Sequence, residues 1–164
     1  AYNLGDTVQF ISLKPYKIIV SGRIKHFISA FGEHVIGKEV EESMRKAISE
    51  TDARINEFTV APQIAPEGNQ LPYHEWLVEF EKEPTDYDEF IKVLDKEMQE
   101  QNSYYFDLIE GKVLQTLKVT PIKQGGFNDF MKSMGKLGGQ NKVQRLSNDR
   151  KVADALKDYH AVKP

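Results

Sequence analysis

Three short polar clusters hold the residues of this chain best suited to chemistry: YNLGDT near its start, GRIKH at 22–26 and QNKVQR at 140–145. Asp6 supplies a carboxylate, and Arg23, Lys25, Lys142 and Arg145 supply cations. Each cluster says little alone, but their order along the chain carries information. Most other chemistries are excluded by residue type. With no cysteine, disulfides, thiolate metal sites and cysteine nucleophiles are all removed. His26, His34, His74 and His160 lack ligand spacing such as i, i+4 on a helix, so no metal site is expected. Gly125-Gly126 and Gly138-Gly139 are too sparse for a phosphate-cradling loop and read as caps or turns. A Gly-x-Ser-x-Gly elbow is absent.

Charge is divided unevenly. Residues 1–117 carry 12 Lys/Arg against 21 Asp/Glu, whereas residues 118–164 carry 10 against 4. The balances are therefore −9 and +6, which give the net charge of −3. A basic final third could face phosphate or an acidic partner. A solvated lysine-rich surface is the simpler reading of the charge alone. The modest net charge gives no global pull toward nucleic acid or an anionic membrane.

The elements that must position these clusters follow from periodicity. TVQFISL and KIIVSG read as strands joined at KPY. Over 38–50, Val40, Met44, Ala47 and Ile48 fall at helical spacing, with Glu39, Glu41 and Glu42 in the first turn, where solvent and the helix dipole account for them. EFTVAPQ reads as a short strand and HEWLVEF as a half-buried one, with the loop APEGNQLP between them. Phe90, Ile91, Leu94 and Met98 form the stripe of a helix from Asp86 to about Asn102. KVLQTLKVT is a further strand, ended by Pro121. Phe127, Phe130, Met131, Met134 and Leu137 mark a helix that stops at Gly138-Gly139, and Val152, Ala155, Leu156 and Tyr159 a last short one. The expected order is β-β-α-β-β-α-β-α-α. Adjacent strand pairs argue against a simple parallel βαβ array and for an α/β (α+β) fold, a small mixed sheet with helices packed on it.

At 164 residues, with 40% hydrophobic and 29% charged, the chain fits one domain or a compact domain with a tail. It lacks the basic start and apolar segment of a signal peptide, and no run approaches the ~20 apolar residues of a membrane span. The lack of cysteine agrees with a reducing compartment, so a cytoplasmic location is expected. Its start, without Met and reading as the middle of a protein, suggests an excised piece of a longer one.

The wording from Gly5-Asp6, through Gly22-Arg23 and Lys25, to Gly32 and Val40-Glu41 resembles the domain junction of adenylate-forming enzymes. KHFISAFGEH is most similar to the auxin-responsive acyl acid-amido synthetase family, in a bacterial-type member, and GGFNDFMKSMGKLGGQNKVQR resembles that family's C-terminal stretch. The resemblance covers nearly the whole chain. It implies a two-domain enzyme in which a large N-terminal domain binds ATP with magnesium and the acyl acid, and a small C-terminal lid swings about a hinge. A carboxylate and ATP give an acyl-adenylate, and an amine such as an amino acid then displaces AMP. A thiol acceptor, as in acyl-CoA ligases, is the alternative.

By position, the resemblance implies that Asp6 contacts the ribose hydroxyls, with Arg23 supporting that site. Lys25 becomes the hinge residue and Lys142 the mobile lysine that reaches the reacting phosphate, with Arg145 as support on the phosphate side. Two departures accompany these assignments: Asn141 stands where many members of the superfamily have glycine, and QRLSND lacks a proline found in plant members. Residues 1–24 become the end of the large-domain junction with the hinge hairpin, and 25–164 the lid. The phosphate loop, acyl pocket and adenine site all belong to the absent N-terminal domain, so this chain alone is expected to be inactive. Its partners are that domain and the small carboxylic acid and amine substrates, with no nucleic acid and no membrane.

Two other classes stay open. A free-standing module could use the basic final third on an acidic partner or nucleic acid, although the aromatic-plus-basic sheet pattern of RNA-binding domains is missing. A structural protein could use the acidic middle, 75–100, against another subunit.

Overall fold

The computed structural model describes residues 6–23, 27–136 and 142–161, with backbone alone at 6–7 and 21–23. Strands β1 (Asp6–Leu13) and β2 (Tyr16–Arg23) form an antiparallel hairpin. The short strands β3 (Phe27–Ile28) and β4 (Val35–Ile36) pair with each other and lead into helix α1 (Gly37–Thr51). Next come β5 (Arg54–Gln63), β6 (Tyr73–Lys82), α2 (Tyr87–Gln101), α3 (Ser103–Glu110), β7 (Lys118–Ile122), α4 (Gly126–Ser133) and α5 (Lys151–Ala155), with a 3₁₀ turn at Lys157–Tyr159.

The body is a three-stranded mixed sheet in the order β5-β6-β7, antiparallel then parallel. Its two faces bury different residues of the same strand. Trp76, Val78 and Phe80 pack with Phe58, Met44, Phe90, Leu94 and Met98 beneath α1 and α2. Leu77 packs on the opposite face with Phe127, Phe130, Met131 and Leu156, beneath α4 and α5. The expectation of a half-buried strand is therefore corrected, because β6 is covered on both faces. Glu75 and Glu79 point under α4 and α5 and are held there by partners. Glu75 accepts from Arg150 (2.6 Å) and Thr120 (2.6 Å). Glu79 accepts from the backbone N–H of Gly125 (2.9 Å) and Phe127 (3.1 Å) at the start of α4. A carboxylate there meets unpaired amides and the positive end of the helix dipole.

Both outer edges of the sheet are engaged. Along β5, the segment at 145–147 runs as a partial fourth strand: Val60 N–H donates to Arg145 O and Ser147 N–H to Val60 O, both at 3.0 Å. Along β7, Lys123 N–H donates to Tyr159 O and Ala161 N–H to Pro121 O, both at 2.9 Å. Edges satisfied in this way offer less to foreign strands.

The mixed sheet with helices on it matches the expected fold class, and the departures have local causes. Strands of two residues have no periodicity to read, so β3 and β4 are additions. Helix α3 is another. Asn102 is extended (φ −136°, ψ 106°), which ends α2, and its side chain accepts from Tyr105 N–H at 2.8 Å, which starts α3. Strand β7 begins six residues later than the expected KVLQTLKVT, because Leu114 and Leu117 are core plugs in irregular chain. It also runs through Pro121, at an edge where a missing N–H is tolerated. Helix α4 stops at Ser133, before the expected glycine pair. Gly135 turns left-handed (φ 66°) and Met134 is exposed, while Leu137 and Gly138-Gly139 lie outside the described residues.

Candidate functional site

Sheet, helix α4 and the segment beginning at 142 enclose a groove of about 370 Å³. β5 and β6 contribute Asn56, Glu57 and Glu79, and α4 contributes Phe127, Asn128 and Met131. Lys136, Lys142, Val143 and Arg145 complete the wall. The lining mixes apolar side chains with three cations and two carboxylates. Lys142 is exposed, so its ammonium can reach into the groove or across its mouth.

The acidic lining residues already have partners. Glu79 holds the start of α4 and also accepts from Asn56 Nδ2 at 3.1 Å. Glu57 is ion-paired with Arg145 through Nη1. Arg145 also donates from Nη1 to Phe58 O at 2.7 Å, and its guanidinium lies 4.1 Å from the centre of the Phe58 ring. Downstream, Ser29 N–H donates to Asn148 Oδ1 at 2.9 Å, tying the same segment to the chain just after β3. Asp149 is held below the usual aspartate range, first by the N–H of Lys151, which it accepts at the start of α5.

The expected site residues fall into two groups. Lys142 and Arg145 stand together on the groove wall. Asp6 and Arg23 face each other as backbone partners at the open end of the hairpin, so the register brings both to one place. Their side chains, and Lys25 altogether, lie outside the described residues. Asn56, Glu57, Glu79, Asn128 and Lys136 were not singled out by the sequence. A signal existed for Glu79 alone: its alternation with Val78 and Phe80 puts it on the side to which α4 returns.

Behind the sheet lies a second polar cluster absent from the sequence reading. His74 Nε2 is 2.9 Å from Glu33 Oε1, both fully enclosed, and Glu33 Oε2 accepts from Phe31 N–H at 2.8 Å. Burial pushes the Glu33 carboxyl up, but the hydrogen bond and charge of His74 and nearby backbone N–H groups outweigh it, leaving the net value lowered. Tyr105 donates to Asp95 Oδ1 at 2.7 Å, and burial together with that carboxylate raises the phenol well above its ordinary value. This cluster braces the loop between β3 and β4 against β6, α2 and α3, and meets a shallow groove along α2 only at Asp95.

Among the described residues no group of three or more His, Asp or Glu could hold a metal, and no helix is long and apolar enough to cross a membrane.

Comparison with known families decides what this geometry belongs to. The model of the GH3 family C-terminal domain matches residues 38–151. The chain belongs to the GH3 family. The fold of this GH3 domain is also that of a solved GH3.15 acyl acid amido synthetase, with a TM-score of 0.74, 15% identity, and coverage of 97% of this chain and 31% of that one. A second match is AtGH3.15 acyl acid amido synthetase in complex with 2,4-DB, with a TM-score of 0.70, 15% identity, and coverage of 97% and 30%. At that identity the likeness shows the fold alone. This chain spans about a third of the length of those solved relatives. No curated protein sequence matches it.

Proposed function

We propose that this GH3 domain is the C-terminal part of an ATP-dependent acyl-activating ligase that joins a carboxylic acid to an amine. In the first half-reaction a carboxylate oxygen attacks the α-phosphorus of ATP, and the bond to the β-phosphate oxygen breaks to release pyrophosphate. In the second, the amine nitrogen attacks the acyl carbon, the bond to AMP breaks and the amine gives up a proton.

The observation that carries the reading is Lys142 exposed on the wall of the groove in a GH3 C-terminal domain. An ammonium preorganised beside phosphate oxygens stabilises the charge that grows there, without itself exchanging a proton. The pairing of Asp6 with Arg23 across the hairpin adds support, because two residues assigned to the ribose side belong at one place. Magnesium travels with ATP, and both are assigned to the larger, N-terminal domain. Lys25 is assigned to the hinge between the two. A cytoplasmic location is assigned as part of the same proposal, on the cysteine-free sequence.

The hairpin supports a partner domain as well. Val8, Phe10, Leu13, Tyr16, Ile18 and Val20 share one face by register, and every one is exposed, from 50% at Val8 to 78% at Tyr16. A lone two-stranded ribbon is marginal in water, and a face of this kind marks an interaction surface. The N-terminal domain of the same polypeptide is its assigned cover.

The longer protein, given a carboxylic acid, Mg-ATP and an amine, should form an amide with one AMP and one pyrophosphate per bond. Release of ADP and phosphate would contradict the reading. Product formed with a thiol and never with an amine would move it to the acyl-CoA ligase type.

A further inference from the structure

We propose that Arg145 is a positioning residue for Lys142: with Glu57 it clamps the segment that carries the lysine onto the edge of β5, and does not itself meet phosphate. This rests on the proposed role of Lys142 and deepens it, by naming what fixes that lysine in the groove.

Lys142 and Arg145 are three residues apart, which keeps their Cα atoms within about 11 Å of each other. The chain from 144 to 146, just downstream of the lysine, is fastened. Thr59 Oγ1 donates to Gln144 O at 2.7 Å, Val60 N–H to Arg145 O at 3.0 Å, and the Leu146 side chain is enclosed in the core. Arg145 adds the side-chain half of the fastening. Its Nη1 holds both the Glu57 carboxylate and the Phe58 carbonyl, and its guanidinium carbon lies over the Phe58 ring. Glu57 is itself oriented, because its Oε1 accepts the N–H of Phe58 at 3.0 Å.

Charge points the same way. Glu41 Oε1 lies 3.6 Å from Nε of Arg145, so one guanidinium faces two carboxylates. Together the three groups carry a net negative charge, which does not attract phosphate. Both bonds leave Nη1 while the guanidinium covers the Phe58 ring, a pairing of donor and flat face that the point charge of an ammonium does not offer. Lysine at 145 would therefore keep the charge and lose the fixed geometry.

The test uses the longer protein and carboxylate-dependent exchange of pyrophosphate into ATP. Arg145→Lys and Glu57→Gln should each lower the maximal exchange rate about tenfold with KM for ATP within about twofold, since misplacing a reacting group by an ångström can cost more than that. In a Lys142→Ala background the same two substitutions should lower it no further, because a residue acting only through Lys142 has nothing left to act on. Amide hydrogens of Val60 and Ser147 should exchange faster with solvent in both variants. An equal fall in both backgrounds overturns the proposal, as does a raised KM for ATP in Arg145→Lys or unchanged protection of the two amides. A slow Lys142→Ala beside an unaffected Arg145→Lys removes the clamp and leaves the functional reading standing. A Lys142→Ala protein with wild-type exchange removes both.

Discussion

Glu33 has no solvent contact, and the His74 ring and the Phe31 N–H between them take up both of its oxygens. Its folded value lies below the ordinary 4.5, despite burial, which acts in the other direction. The sign of its contribution follows. Stability from a lowered carboxylate is fully present above the unfolded value and is lost as pH falls through the folded one. Glu33→Gln should therefore cost about 1–3 kcal/mol near neutral pH, the order of a buried polar partner lost. The difference between the two proteins should shrink as pH is lowered below 4.5. Thermal unfolding of both across that range checks it, and parallel curves would contradict it. None of this was legible beforehand, because His74 and Glu33 are 41 residues apart and neither has a local pattern. Lys142, which lines the groove, stood out in the sequence because its setting in QNKVQR resembles a family's wording. Its neighbours in the groove had no wording to match.

Helix α4 shows how a short element depends on what it sits against. Gly126 begins it, and a Cβ there would lie 2.5 Å from Cγ2 of Ile122 and 3.3 Å from Cβ of Tyr159. Phe127 follows, with its N–H on Glu79. Gly126→Ala should therefore cost about 1–3 kcal/mol by overpacking, against the gain alanine gives an exposed helix. Urea unfolding measures this directly, and a neutral or stabilising result would mean that the helix shifts freely. The longer elements, α1 and α2, stood within a residue or so of their expected ends, since four apolar residues at helical spacing leave little choice of face. The glycine pair at 125–126 was also legible as punctuation. What no local pattern could give was where α4 stops, or that β6 is covered on both sides, because that depends on which elements return to the sheet.

Taken whole, the chain presents two surfaces of opposite character. The groove carries charged side chains and is built by α4, the sheet and the segment from 142, while the hairpin turns an apolar face to solvent. An order β-β-α-β-β-α-β-α-α was enough to give a mixed sheet with helices on it. It could not show that the hairpin forms a ladder of its own, since strand runs look alike whether or not they share a sheet. In the proposed function the two surfaces share one role, the hairpin seating the domain on a larger partner and the groove bringing Lys142 to the reacting phosphate. The most direct measurement is carboxylate-dependent pyrophosphate exchange by the longer protein, with and without Lys142→Ala. Loss of a stabilising charge at a transition state costs on the order of 10²–10³ in rate. A fall of that size, with the protein still folded and binding ATP, is the predicted result. Exchange at the wild-type rate would contradict the role given to Lys142 and to the groove around it.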